Sequence, residues 1–180
     1  MNDAPPRLYA HPFSSYCQKV LVALYEHGTP FEYRHLEHDG NGAELAALWP
    51  MKRFPVLVDH GRTVLEASCI IEYLHLHHPG PTPLIPADAD AALDVRMLDR
   101  FFDQYIATPQ QKFVFDALRP AEDRDPYGVR EAAAMLDTAY AWLEAHMEGR
   151  TWAAGEAFSL ADCDAALFLF YADCMHPIDA

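Results

Sequence analysis

The sequence predicts an α/β region followed by an all-α region, and three observations support this fold class. Strand and helix patterns alternate through the first 78 residues, whereas only helical periodicity follows from residue 88 onward. Residues 79–87 separate the two patterns and contain four prolines, which forbid a continuous helix. We therefore expect two domains, residues 1–78 and 88–180, joined by a linker over residues 79–87.

The first region begins with a β-α-β unit. Residues 7–10 predict a short strand, and apolar residues that recur at helical spacing predict a helix over residues 16–27. Gly28 supplies the stop signal for this helix. Residues 31–36 are rich in aromatic side chains and partly alternate, which predicts a second strand.

A second helix, a hairpin and a third helix complete the first region. Residues 43–49 form a short helical pattern that ends at Pro50. Two apolar runs, 56–58 and 63–65, flank an Asp-His-Gly turn and predict a β-hairpin. A helix over residues 67–77 follows, so the predicted order is β-α-β-α-β-β-α, a small mixed sheet flanked by helices.

The second region carries helical patterns only. The predicted helices cover residues 88–108 (broken by Pro109), 125–147 and 159–174. Ser159 and Asp162 have the spacing of a capping box at the start of the last helix. Residues 165–171 are apolar on all sides, so we expect this stretch to be buried.

Composition excludes several classes of partner. The chain of 180 residues has a formal net charge of −14, which repels nucleic-acid phosphates and anionic membrane surfaces. No apolar run is long enough to span a bilayer, and residues 1–6 lack the features of a secretory signal. A cytoplasmic location is the resulting expectation.

The cysteines and histidines do not predict a metal site. The four cysteines form neither a C-x-x-C pair nor zinc-ribbon spacing, and we expect them to be reduced and packed. His75, His77 and His78 do not share one helix face, so a solvated helix end is the better interpretation.

Four segments resemble the glutathione S-transferase family, in the family's order. They are residues 8–24 (LYAHPFSSYCQKVLVAL), 54–57 (FPVL), 65–74 (LEASCIIEYL) and 159–162 (SLAD). The resemblance implies a thioredoxin-like domain that binds glutathione as a cosubstrate, followed by a helical domain. The bacterial serine-type enzymes are the most similar subgroup.

Ser14 is the candidate catalytic residue. A hydroxyl that donates to the glutathione sulfur at a helix N-terminus stabilises the thiolate, which is the nucleophile. The alternative is that Ser14 or Ser15 only caps the helix. Ser15 and Tyr9 are the rival hydroxyls. Cys17 lacks a partner cysteine, since Ser14 stands at the position of the pair, and this argues against a thiol oxidoreductase.

The resemblance also assigns residues to the ends of glutathione. Lys52 and Arg53 are expected near the glycine carboxylate, although a solvated charge pair is an equal alternative. Phe54 presents its backbone to the cysteinyl part, before Pro55 in a cis peptide. The resemblance implies that Glu66 and Ala67 bind the γ-glutamyl group. Ala67 stands where the family has a serine, which weakens the expected binding.

The second substrate is expected to be a small hydrophobic electrophile above Ser14, between the two regions. Phe13 and Tyr105 are the candidates for its apolar wall. The family implies a homodimer and further helices beyond Ala180, so the chain is either short or truncated. A catalytically weak binding module and a glutathione-dependent isomerase remain the alternatives to a transferase.

Overall fold

The computed structural model describes residues 4–178, which divide into two compact units that meet in the chain at Ile85 and Pro86. The first unit contains a four-stranded sheet and three helices; the second contains helices only. The fold class predicted from the sequence is therefore confirmed. None of the helices within residues 4–178 has both the length and the apolar character needed to cross a bilayer.

The sheet of the first unit has the strand order β2-β1-β3-β4. Its strands are β1 (Arg7–Ala10), β2 (Glu32–His35), β3 (Val56–Asp59) and β4 (Arg62–Leu65). Its helices are α1 (Ser15–His27), α2 (Asn41–Leu48) and α3 (Ala67–His77). β1 pairs parallel with β2, and the pairs β1–β3 and β3–β4 are antiparallel. The parallel pair places the carboxyl ends of β1 and β2 at one edge, where the chain turns into α1.

Successive side chains of each strand point to opposite faces of the sheet, and buried apolar residues lie on both faces. Tyr9, Val56 and Val58 are buried with Leu45 of α2 on one face. The intervening residues, such as Leu57, point to the opposite face and are fully buried. α1 and α3 pack against each other, and α3 also contacts β3 and β4.

The second unit begins with α4 (Ala89–Phe101), a π-helical segment (Phe102–Ala107) and α5 (Thr108–Ala117). A 3₁₀ turn (Ala121–Asp123), α6 (Pro126–Met147) and α7 (Leu160–Met175) follow. α6 and α7 occur where the sequence predicted helices. The expected break at Pro109 is wrong, because the chain stays helical through this residue.

The π-helical segment explains how the helix continues. Proline is excluded from a helix interior because it lacks an N–H, but it is tolerated in a first turn. Pro109 lies in the first turn of α5, immediately after the widened turn. The carbonyl of Asp103 accepts hydrogen bonds from both the backbone N–H and the hydroxyl of Thr108, the latter at 2.9 Å. Pro109 thus lies at the start of α5, a position in which its missing N–H is tolerated.

The start of α7 has the predicted capping box. The backbone N–H and the hydroxyl of Ser159 both donate to Asp162 at 2.9 Å, and the Asp162 N–H is bonded to Ser159. The burial expected for residues 165–171 is wrong. Phe168 is buried, but Phe170 is 61% exposed, because α7 packs with only one side on α4, the π-helical segment and α5.

Candidate functional site

The turn between β1 and α1 places Ser14 at the N-terminal end of α1. Its backbone N–H donates to the carbonyl of His11 at 3.1 Å, and its hydroxyl accepts from the N–H of Cys17 at 3.3 Å. Gln18 fixes the same turn by donating to the carbonyl of Pro12 at 2.6 Å. Ser14 is half-buried and extended, so it caps the helix while its hydroxyl lies in the positive potential of the helix N-terminus.

The two rival hydroxyls are placed differently. Tyr9 is 1% exposed, and its hydroxyl donates to Glu44 at 2.6 Å on the α2 side of the sheet. Burial and this hydrogen bond raise the pKa of Tyr9, which makes it a poorer acid. Ser15 is already inside α1 and is buried. Ser14 is therefore the better placed of the three for contact with a ligand at the turn.

Cys17 is fully buried in α1. Burial raises the pKa of its thiol, and hydrogen bonds from the Ser14 side chain and the His11 backbone offset this effect only in part. The thiol is therefore neutral at neutral pH, which agrees with the interpretation of Cys17 as a packed residue. A neutral thiol is also a weak acceptor for the Ser14 hydroxyl.

The loop before β3 carries the next group of candidates. The Phe54–Pro55 peptide is cis, as the resemblance implied. Pro55 is buried, whereas Phe54, Lys52 and Arg53 are exposed. Among residues 4–178, neither Lys52 nor Arg53 has an ion-pair partner, so both cations are available to an anionic ligand.

Ring contacts bring the Ser14 turn and this loop together. The ring of His11 lies 5.7 Å from that of Phe13 and 6.2 Å from that of Phe54, measured between centroids. Two of the segments that predict glutathione binding are therefore neighbours at one edge of the sheet.

The N-terminus of α3 lies after β4 and lacks a side-chain cap. Glu66 occupies the N-cap position with φ 65° and ψ 124°, and its side chain is exposed. A positive φ in a non-glycine residue costs about 1–3 kcal/mol and is concentrated at functional sites. The first amides of α3, at Ala67 and Ser68, donate no hydrogen bond to the Glu66 side chain and form a site suited to an anion.

Two residues that were not predicted from the sequence connect these segments. Lys19 is fully buried, and its ammonium donates to the hydroxyl of Ser68 at 3.1 Å, which links α1 to the first turn of α3. Its position one turn before Ala23 on the apolar face of α1 was the available signal. His11 follows the predicted strand over residues 7–10, and no sequence pattern indicated its ring contacts.

The candidates for the second substrate lie in different units. Phe13 belongs to the first unit and is 79% exposed. Tyr105 belongs to the π-helical segment of the second unit and lines an apolar cavity of about 290 Å³. The other lining residues are Phe101, Met135, Thr138, Ala139 and Trp142.

Residues 4–178 contain no group of three His, Cys, Asp or Glu residues that could hold a metal ion. The expectation that His75, His77 and His78 form a solvated helix end is wrong for His78. Its ring binds the buried carboxylate of Asp59 at 2.7 Å, because the end of α3 reaches the end of β3. His77 packs against Tyr73 with ring centroids 4.3 Å apart.

Comparison with known proteins identifies the family. The model described as "Glutathione S-transferase, N-terminal domain" matches residues 8–82, and "Glutathione S-transferase, C-terminal domain" matches residues 126–177. Together the two models match more than two thirds of the chain. This chain belongs to the glutathione S-transferase family.

Curated relatives and solved structures agree with this assignment. A glutathione S-transferase-like protein from a Fusarium species is 29% identical over 97% of this chain and 80% of its own length. A Pseudomonas putida glutathione S-transferase is 28% identical over 93% of this chain and 73% of its own length. Among solved structures, the Methylobacterium radiotolerans enzyme in complex with glutathione sulfonate is 28% identical, with a TM-score of 0.81 and coverage of 96% and 85% of the two chains. A Methylobacillus flagellatus enzyme with GSH bound is 25% identical, with a TM-score of 0.84 and coverage of 94% and 83%.

Proposed function

We propose that this chain is a glutathione transferase in which the Ser14 hydroxyl stabilises the thiolate of bound glutathione. The observation that supports this role is the position of Ser14 at the N-terminus of α1, beside the Phe54–Pro55 loop. The hydroxyl can accept from the Cys17 amide and still donate its own proton to a sulfur.

A hydrogen bond from Ser14 can lower the pKa of the glutathione thiol enough to supply thiolate at neutral pH. A hydrogen bond to a charged group contributes about 1.5–3 kcal/mol, and one pKa unit corresponds to about 1.4 kcal/mol. A free thiol has a pKa of about 8.5, so a decrease of about one to two units gives a large thiolate fraction at neutral pH. No general base is needed in this scheme.

The thiolate attacks the electrophilic carbon of a small apolar substrate. A carbon–sulfur bond forms, and the leaving group departs with the electron pair of the broken bond. With an activated alkene the thiolate adds, and solvent protonates the resulting carbanion. If the thiolate adds and is then expelled, the same site performs the isomerisation named above as an alternative.

The remaining candidates bind the two ends of the tripeptide in this proposal. Lys52 and Arg53 attract the glycine carboxylate, and the Phe54 backbone pairs with the cysteinyl part. Glu66 accepts from the γ-glutamyl ammonium, and the amides of α3 bind the γ-glutamyl carboxylate. Ala67 offers no hydroxyl, which weakens binding by about 0.5–1.5 kcal/mol relative to a serine.

Phe13 and Tyr105 supply apolar surface for the electrophile. The exposure of the Phe13 ring beside the Ser14 turn and the apolar cavity next to Tyr105 support this assignment. Phe13→Ala and Tyr105→Ala should each raise the KM for an aromatic electrophile and leave the KM for glutathione unchanged.

Steady-state kinetics with glutathione and a chlorodinitrobenzene test the role of Ser14. Ser14→Ala should lower kcat/KM by about ten- to a hundredfold near neutral pH, because the thiolate loses its charge-assisted hydrogen bond. Ser15→Ala is the matched control and should change the rate by less than about threefold. Equal losses in the two variants would remove Ser14 from the mechanism.

A catalytically weak binding module is the second candidate, and Ala67 is the observation that favours it. Calorimetric titration with glutathione distinguishes a ligand-binding site from a bare scaffold. Binding in the micromolar to millimolar range together with turnover supports the transferase. An absence of heat at millimolar glutathione favours a module that uses the fold for other contacts.

We further propose that the chain forms a homodimer through its helical unit. Leu93 and Met97 are exposed one turn apart on the same side of α4. A face of this kind suits a second copy with the same apolar residues. Sedimentation velocity should show a dimer that Met97→Glu dissociates and Leu118→Glu, at an exposed site on another helix end, does not.

The proposed location is the cytoplasm. Cys17, Cys69, Cys163 and Cys174 are all free thiols, and such thiols persist in a reducing compartment. Cell fractionation tests this location.

A further inference from the structure

We propose that His11 is a positioning residue, whose neutral imidazole restrains the Ser14 turn through the Phe13 amide and loses this contact on protonation. This inference rests on the proposed function for its catalytic consequence, but its structural part concerns the turn alone. The backbone of His11 accepts from the Ser14 N–H at 3.1 Å, and ring atom Nδ1 accepts from the Phe13 N–H at 3.3 Å. Two consecutive amides of the turn are therefore bound to the same residue.

The hydrogen bonds of the ring determine its tautomer. Because the Phe13 N–H is a donor, Nδ1 must be unprotonated, and a neutral ring then carries its proton on Nε2. Nε2 lies 3.4 Å from Oε1 of Glu37, which can accept that proton. Both ring nitrogens thus have partners that suit the same tautomer.

The ring also connects three segments of the site. It contacts Phe13 of the turn, His35 at the end of β2 with centroids 5.8 Å apart, and Phe54 of the loop before Pro55. A displacement of this ring therefore changes the spacing between the Ser14 turn and the Phe54 loop.

Protonation removes one of these contacts. An imidazolium carries a proton on both nitrogens, so Nδ1 can no longer accept from the Phe13 amide. Two N–H groups then face each other, so the Phe13 amide loses its acceptor and the turn is held only by the Ser14 N–H bond to the His11 carbonyl and by Gln18. In its neutral form the same ring keeps the turn closed, and the expected loss of activity is therefore on the acid side.

Several titratable groups face His11. Glu37 is largely exposed, and its Oε1 lies 3.4 Å from Nε2 of the ring. His35 contacts the ring and is itself stacked on His38 with centroids 4.1 Å apart. Cys17 accepts from the His11 backbone N–H at 3.5 Å, and its thiol is neutral.

Two substitutions distinguish the loss of the hydrogen-bond acceptor at residue 11 from the loss of its titratable group. His11→Asn keeps an acceptor that can bond the amide two residues on, as asparagine does in Asx turns, and it does not titrate. His11→Leu removes the acceptor at every pH. The hydrogen bond lost in His11→Leu corresponds to about a two- to tenfold loss in kcat/KM for glutathione.

Amide resonances of the ligand-free protein test the structural part. In the wild type, the Phe13 and Ser14 amides should shift and exchange faster with solvent as the pH falls through the titration of His11. In His11→Asn these amides should show no such inflection. An unchanged inflection in His11→Asn would overturn the proposal and assign the titration to His35 or His38.

The pH dependence of kcat/KM tests the catalytic part. The wild type should show an acid-side inflection beyond that of the glutathione thiol. His11→Asn, which lacks the ring contacts, should have a lower kcat/KM at neutral pH and should not show this inflection. Equal profiles in wild type and His11→Asn would contradict the proposal. A wild type without turnover would refute the transferase assignment instead, and the amide titration would still decide the role of His11.

Discussion

At the residue scale, Asp59 shows how one buried carboxylate fixes the end of the hairpin to the end of α3. It accepts from the Tyr73 hydroxyl at 2.9 Å and from His78 at 2.7 Å, while Arg62 lies over the Tyr73 ring. Burial alone raises the pKa of Asp59, but these hydrogen bonds and the nearby histidines outweigh burial and lower it. The folded state therefore favours the ionised carboxylate.

Asp59→Asn should lower the free energy of unfolding by about 1–3 kcal/mol at neutral pH, because charge-assisted hydrogen bonds are lost. The folded pKa of Asp59 lies below the unfolded value of about 3.8, so its contribution is present above that value and is lost as the pH falls through the folded pKa. Urea unfolding at several pH values measures this difference. The gap between wild type and variant should close toward acid pH, whereas the exposed control Asp94→Asn should show a difference below about 0.5 kcal/mol throughout.

Two of the candidate residues lie where the sequence and the family resemblance placed them. Ser14 follows from a hydroxyl at a strand-to-helix turn, and Pro55 from the family motif, because each lies next to its structural signal in the sequence. Lys19 and His11 could not be assigned in this way. The role of Lys19 depends on Ser68, which is 49 residues away, and the role of His11 depends on Phe54 of a distant loop. Only the folded chain brings these partners close.

At the element scale, the capping box of α7 was predictable because its partners are three residues apart. Asp162 accepts from the Ser159 N–H, from the Ser159 hydroxyl and from the Ala153 N–H at 2.7 Å. All of these groups are buried, so each lost partner leaves an unsatisfied donor.

Asp162→Ala should therefore destabilise the protein by about 2–4 kcal/mol, and Ser159→Ala by about 1 kcal/mol. Thermal unfolding followed by circular dichroism measures both, with Ser159→Thr as the conservative control. If Asp162→Ala were no more harmful than Ser159→Ala, the Ala153 contact would not stabilise the loop before α7.

The π-helical segment shows why element boundaries were harder to predict. Pro109 is a strong stop signal in isolation, and local propensity gave no reason to extend the helix past it. The helix continues because the N–H and the hydroxyl of Thr108 both donate to the carbonyl of Asp103, five residues earlier. No periodic pattern in the sequence indicates such an i→i−5 hydrogen bond.

At the scale of the whole molecule, the net charge of −14 opposes an anionic ligand, and Lys52 and Arg53 act locally against this field. The double variant Lys52→Gln/Arg53→Gln should raise the KM for glutathione about three- to tenfold and leave kcat nearly unchanged. Steady-state kinetics at several salt concentrations measures both effects.

Added salt should lower the KM of this double variant, because screening removes a repulsion that no local cation offsets. An exposed double variant far from the site in sequence, Arg124→Gln/Arg150→Gln, is the matched control and should keep the wild-type KM. A KM in Lys52→Gln/Arg53→Gln equal to the wild-type value would show that these cations do not contact the ligand.

The pKa of enzyme-bound glutathione, followed by the ultraviolet absorbance of its thiolate during a pH titration, tests the central claim most directly. We expect the wild-type complex to titrate about one to two units below the free thiol value of about 8.5, and Ser14→Ala to return it toward that value. Identical titration curves for the wild type and Ser14→Ala would contradict the role assigned to the hydroxyl at the start of α1.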